Sequence, residues 1–161
     1  MHKTAFPPIV DNHSKVLILG TMPGEQSLKL QQYYGHKGNH FWKIICGLFG
    51  LPLIADYGER KQLLLDNHVA LWDVLEGCYR EGSADSKIRL ETPNDFDLFF
   101  KQYPEIKTVF FASTGAKQYY EKYVARKPGY TYHKLPSPSG ANTWKTFDQK
   151  VKEWKAVLGY L

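Results

Sequence analysis

Four short runs rich in apolar residues, Val16–Leu19, Val69–Val74, Lys107–Ala112 and Tyr130–Leu135, constrain this chain more than any other feature. Each has strand length and is too short for a buried helix. Val16–Leu19 is apolar throughout and closed by Gly20, which predicts a central strand covered on both faces. Between and after these runs the apolar spacing changes to the helical period. Phe41, Trp42, Ile44, Ile45, Leu48 and Phe49 follow Asn39, and Gly50 and Pro52 end that helix. Glu59–Asn67 reads as a second short helix. Pro93–Tyr103 reads as another, with proline at its start. Ser113-Thr114-Gly115 opens a helix reaching about Lys127. Thr143–Leu158 closes the chain with Trp144, Phe147, Val151, Trp154 and Leu158 on one face. Gly77–Pro93, polar and charged, reads as a surface loop. Strand and helix alternate four times, which predicts an α/β fold with a parallel sheet covered on both sides.

The 161 residues are expected to form one domain, spanning 1–161, and that length can bury a core without staples. Hydrophobic residues make up 43%, which argues against disorder. Lys and Arg total 21 against 16 Asp and Glu, a net charge of +5 that suits a polyanion without requiring one. Cys46 and Cys78 read as reduced, packed thiols. No Cys/His spacing suggests zinc, and two cysteines cannot hold an iron–sulfur cluster. No zinc or iron–sulfur site is therefore expected. Met1-His2-Lys3-Thr4 opens no long apolar stretch, and no run approaches membrane-spanning length. The expectation is a cytoplasmic protein with no membrane partner.

In open parallel sheets ligands bind beyond the carboxyl ends of the strands. The Gly20 loop, Asp73, the Ser113 turn and the loop Pro136–Asn142 all lie at such ends and should meet on one rim. Gly20-Thr21-Met22-Pro23-Gly24 offers a tight turn with backbone N–H groups that can bond a base edge. Tyr34 offers a flat face for stacking. Asn39 offers a neutral carboxamide that could orient a water; local sequence alone favours a plain helix N-cap, and both roles can hold. His36 and His40 flank it and titrate near neutrality. Asp73 reads as a base or, preferably, a structural acceptor, and Asp85-Ser86 is a weaker candidate. Ser113 with Thr114 and Gly115 could hold a polar base edge or a phosphate. Lys37 and Lys117 are candidate DNA contacts. In the last loop Ser137, Pro138 and Ser139 could grip phosphates, while Gly140, Ala141 and Asn142 are small enough to enter the gap left by an extruded nucleotide. Its plain reading is a Ser/Pro turn before a helix capped by Asn142 or Thr143.

On these residues the chain resembles the uracil-DNA glycosylase superfamily, and within it the hypoxanthine-DNA glycosylase group. Leu19-Gly20-Thr21-Met22-Pro23-Gly24, Gln32-Tyr33-Tyr34-Gly35-His36, Asn39-His40-Phe41-Trp42-Lys43-Ile44, Ala70-Leu71-Trp72-Asp73-Val74-Leu75 and Thr92-Pro93-Asn94-Asp95-Phe96 carry the resemblance. It implies a three-layer α/β/α sandwich with a four-stranded parallel sheet. It also implies monofunctional hydrolysis of the N-glycosidic bond of a deaminated base without metal or cofactor, hypoxanthine foremost, with xanthine or uracil also accepted. The substrate would be double- or single-stranded DNA, and the protein a monomer. Asn39 matches the water-positioning residue, Tyr34 the stacking position and Ser137–Asn142 the intercalation loop. Met22 stands where the mismatch-specific branch carries an Asn. Lys37-Gly38 replaces the Pro-Arg common before the key Asn, and Ser139-Gly140 is closer to the mismatch-specific branch. A mismatch-type uracil or thymine glycosylase, a non-catalytic nucleic-acid-binding module and a small-nucleoside hydrolase are the competing readings.

Overall fold

A computed structural model describes residues 2–161; Met1, the first residue of the opening read as lacking a long apolar stretch, lies outside them. Strands β1 (His2–Thr4) and β2 (Val16–Gly20) precede helices α1 (Glu25–Leu30), α2 (Phe41–Leu48) and α3 (Tyr57–Asp66). Then come β3 (Val69–Asp73), β4 (Leu75–Tyr79), β5 (Arg89–Pro93), α4 (Phe96–Gln102), β6 (Thr108–Phe111), α5 (Thr114–Tyr123), β7 (Thr131–Lys134) and α6 (Phe147–Trp154). A 3-10 turn, Lys155–Tyr160, follows α6 directly.

The central sheet has the order β3-β2-β6-β7, and every pairing is parallel. The predicted sandwich is therefore present. Its two cores follow from the period-two alternation along β2. Val16 and Ile18 face α2, α3 and α6, joining Phe41, Ile44, Leu64, Phe110 and Trp154. Leu17 and Leu19 face α4 and α5, joining Phe96, Phe99, Phe111 and Tyr120. Removing each such leucine from water contributes roughly 1.5–3 kcal/mol. The strand can accept that burial on both sides because its backbone groups are paired on both edges.

A second sheet, antiparallel with order β1-β4-β5, corrects the reading of Gly77–Pro93 as loop alone. β1 crosses β4 so closely at Gly77 that a Cβ there would stand 2.9 Å from the Lys3 carbonyl oxygen. Only residues 80–88 of that stretch connect strands, and they include a 3-10 turn, Asp85–Lys87. α1 is a further element not expected from the sequence, and α5 stops at Tyr123 rather than near Lys127. The final helix starts at Phe147, four residues later than expected. Its N-cap is Thr146, whose hydroxyl accepts from Gln149 N–H while the Gln149 side chain accepts from Thr146 N–H. Trp144 is consequently not on the buried helix face but in the preceding turn, 94% exposed.

Candidate active site

The carboxyl ends of β2, β3 and β6 open into one cleft of about 830 Å³, within the size range usual for ligand sites. The first wall is Gly20–Gly24. Gly20 tolerates no side chain, because a Cβ would lie 2.6 Å from Asp73 Oδ1 and 2.9 Å from the Tyr34 hydroxyl. Met22 is buried and packs into the α4–α5 core, so it contributes backbone and a sulfur rather than a water-binding group. Neither Met22 N–H nor Gly24 N–H meets a protein acceptor among the described residues. Thr21 Oγ1 lies 3.0 Å from Ser113 Oγ, and the Ser113 hydroxyl also accepts from Ala116 N–H as the cap of α5.

The second wall joins two distant parts of the chain. Tyr34 and Asn39 line the cleft next to Ser137–Ala141. The Tyr34 ring stacks on Phe41 at 4.1 Å between centroids and 16° between planes. Its backbone has φ +53, a left-handed conformation that is uncommon for a bulky residue and that clusters at functional sites. Asn39 Oδ1 accepts from Phe41 N–H at 2.9 Å, which anchors the carboxamide one residue before the helix cap, His40. His40 N–H donates to the Pro138 carbonyl at 2.8 Å, tying this segment to the Ser/Pro loop. Gly140 lies against the Gly38 carbonyl, too close for any Cβ. α6 supports the same loop from below: Trp154 Nε1–H donates to the Pro136 carbonyl at 2.8 Å and Lys150 Nζ to the Ser139 carbonyl at 3.1 Å.

Asp73 forms the floor. It is 4% exposed, and its Oδ2 has no hydrogen-bond partner. Burial, and then the charge of Asp85, push its carboxyl up to about 7, against the opposing pull of Arg80. Asp85 is also raised, by burial first, while its bond from Thr21 pulls the other way. Ser83, Ala84 and Asp85 close the cleft on the side of the second sheet, and the Ser83 hydroxyl accepts from Glu25 N–H at 2.8 Å. The sequence reading kept Asp85 as a weak candidate and passed over Ser83 and Ala84. Their signal was the Gly-Ser-Ala-Asp composition of a turn, but nothing local says that the turn folds back over β2.

His36 lines the cleft, its Nδ1 accepting from Gly38 N–H at 2.9 Å. Lys37, His40, Lys117 and Asn142 do not line it. The His40 ring packs edge-on against Phe147 and lies 3.5 Å from Lys150 Nζ. Asn142 instead closes its own loop, donating from Nδ2 to the Ser137 carbonyl at 3.1 Å. Lys117 sits in the first turn of α5, its N–H bonded to the Ser113 carbonyl at 3.3 Å.

The family pattern of the uracil DNA glycosylase superfamily matches residues 7–158. The chain belongs to that superfamily. A Methanosarcina acetivorans protein named hypoxanthine DNA glycosylase is 37% identical over 159 residues, 98% of this chain and 99% of that one. One of the same name from Methanosarcina barkeri is 38% identical over 143 residues, 88% of this chain and 89% of that one. Among solved structures, a solution structure of a Methanosarcina acetivorans protein described as a candidate uracil DNA glycosylase superposes with a TM-score of 0.84. It is 37% identical and covers 98% of this chain and 96% of its own. The cleft of this superfamily member therefore lies where its sheet topology places a ligand site. Among the described residues no cluster of three His, Cys, Asp or Glu is arranged to hold a metal ion, and no helix is long and apolar enough to cross a membrane.

Proposed function

We propose that this protein removes deaminated bases, hypoxanthine foremost, from DNA by hydrolysing the N-glycosidic bond. One observation carries the reading: Asn39, Tyr34, the Gly20–Gly24 loop and the Ser137–Ala141 loop line a single cleft. Names of the Methanosarcina relatives point the same way. The base, swung out of the duplex, enters against the free face of Tyr34, whose other face is held by Phe41. Met22 and Gly24 N–H groups meet its polar edge. Hydrolysis adds water to C1′ of the sugar while the base leaves with the bonding electron pair and takes up a proton, leaving an abasic site. The sugar carbon becomes cationic before the water bonds. Asn39 Oδ1, already fixed by Phe41 N–H, has a second lone pair that orients the attacking water and faces this cation. The Ser137–Asn142 loop holds the flanking phosphates and fills the vacated stack. We read the working unit as a monomer, a single domain over 1–161, that needs no metal or cofactor and acts in the cytoplasm.

Duplexes carrying inosine, xanthine, uracil or a G·T mismatch, scored by alkaline strand breakage, test the activity. The inosine duplex should be cut, and Asn39→Ala should fold normally while losing at least about 100-fold in single-turnover rate, the scale of one oriented polar group. Unchanged turnover would remove Asn39 from the mechanism. Cleavage of uracil or G·T without inosine would move the protein to the mismatch-specific branch.

A further inference from the structure

Lys150 is a buried charge that the reaction above does not use. It is 1% exposed, on α6, beneath the Ser/Pro loop. Its Nζ donates to the Ser139 carbonyl at 3.1 Å and lies 3.5 Å from His40 Nδ1. No carboxylate comes within ion-pair distance of it among the described residues. Burial, then the charges of Lys150 and Lys43, hold His40 below the usual histidine range. An ammonium removed from water without an anion is costly, and such groups are normally paired. Burial accordingly lowers the Lys150 pKa.

The bond to Ser139 has a geometric consequence. In a trans peptide the carbonyl and the next N–H point in opposite directions, and the described chain has no cis bonds. With the Ser139 carbonyl held both by Lys150 Nζ and by Asn142 N–H at 3.0 Å, the Gly140 N–H is directed to the other side of the loop. There it meets no protein acceptor among the described residues, whereas Ser139 N–H, Ala141 N–H and Asn142 N–H are all taken within the loop. One donor is thus left open, with a positive charge behind it that polarises the same peptide.

Resting on the glycosylase reading of this cleft, we propose that Lys150 is a positioning residue for a DNA phosphate: it orients the Ser139–Gly140 peptide so that Gly140 N–H receives a phosphate beside the extruded nucleotide, and that phosphate supplies the anion the buried ammonium lacks within the protein. Phosphodiester is the occupant because the loop presents one open N–H donor with a buried positive charge behind it and carries no carboxylate of its own. The low dielectric between buried ammonium and bound phosphate strengthens their attraction over that of a solvated lysine.

The test is binding to a duplex holding a stable abasic analogue, followed by fluorescence anisotropy at several KCl concentrations near pH 7. For Lys150→Met, log K against log salt should flatten by about one charge, and affinity at low salt should fall roughly tenfold. Its Tm should hold or rise, since a buried unpaired charge is gone. Lys150→Arg should keep the wild-type slope. Lys150→Gln can still donate to the Ser139 carbonyl but should flatten the slope as Lys150→Met does, separating charge from hydrogen bonding; it carries the test should Lys150→Met not fold. Lys101→Met, on α4 across the sheet, controls for net charge. An unchanged slope in Lys150→Gln, or one matching Lys101→Met, overturns the proposal. Failure of the wild-type protein to release any deaminated base would instead overturn the glycosylase reading, which the salt slope does not measure.

Discussion

Asp73 ends β3 inside the cleft with one carboxylate oxygen unpartnered, and its titration links stability to chemistry. Its folded-state pKa, about 7, lies above the ordinary value of 3.8. The folded protein therefore holds this proton more tightly than the unfolded chain. The stability so contributed is complete below about pH 4 and is lost as pH rises through 7. Asp73→Asn stays neutral, so its Tm relative to wild type should improve from about pH 4 to about pH 7 and level off above that. A constant difference would show that the carboxyl is already ionised. Chemistry should follow the same group. The departing base carries negative charge, which an ionised Asp73 repels and a protonated one does not. Wild-type excision of hypoxanthine should decline through pH 7, and the Asp73→Asn profile should be flat there. The sequence placed Asp73 at a strand end; only burial beside Asp85, against the pull of Arg80, makes it titrate near neutrality.

Helix α6 shows how an element's exact start governs what it supports. The apolar spacing Phe147, Val151, Trp154 and Leu158 was legible, because a 3.6-residue period survives any error in the ends. The start was not. Thr143 and Thr146 are both acceptable caps, and only Thr146 has a Gln three residues later to complete the reciprocal pair. Starting there puts Lys150 and Trp154 four residues apart on one face, directly under the Ser/Pro loop. Thr146→Ala should cost about 1 kcal/mol in urea unfolding, the usual worth of such a cap. A loss under a few tenths would mean that packing of Trp154 alone sets the helix register. The second sheet escaped the sequence reading for a related reason. β5 has no fully buried residue, and exposed Glu76 and Tyr79 break up the buried positions of β4, so neither displays a long buried run. Such strands take shape by pairing, which local sequence does not encode.

Across the whole molecule, the site is a seam between residues about a hundred positions apart. Gly38 and Gly140 touch backbone to backbone, and His40 N–H bonds the Pro138 carbonyl. Parallel strands make this meeting unavoidable, since every crossover returns the chain to the same end of the sheet. Gly140→Ala would drive a methyl into the Gly38 carbonyl and push the loops apart. Excision of hypoxanthine should fall at least about tenfold, because displacements near 1 Å are costly to oriented groups. Gly159→Ala, where a Cβ meets nothing within 4 Å, should leave the rate unchanged. Equal rates in both variants would mean that the loops work independently.

The amino-acid sequence by itself determined the parallel sheet, the rim on which its loops gather and the residue types offered there. Those properties depend on apolar periodicity and on glycine, proline and amide chemistry, which are local. Tertiary structure alone decided that Asn39 and Ser139 share one wall, that Ser83 to Asp85 close the other, and that Lys150 lies buried without an anion. These depend on distances between segments far apart in the chain, and such distances exist only after both faces of the sheet are packed.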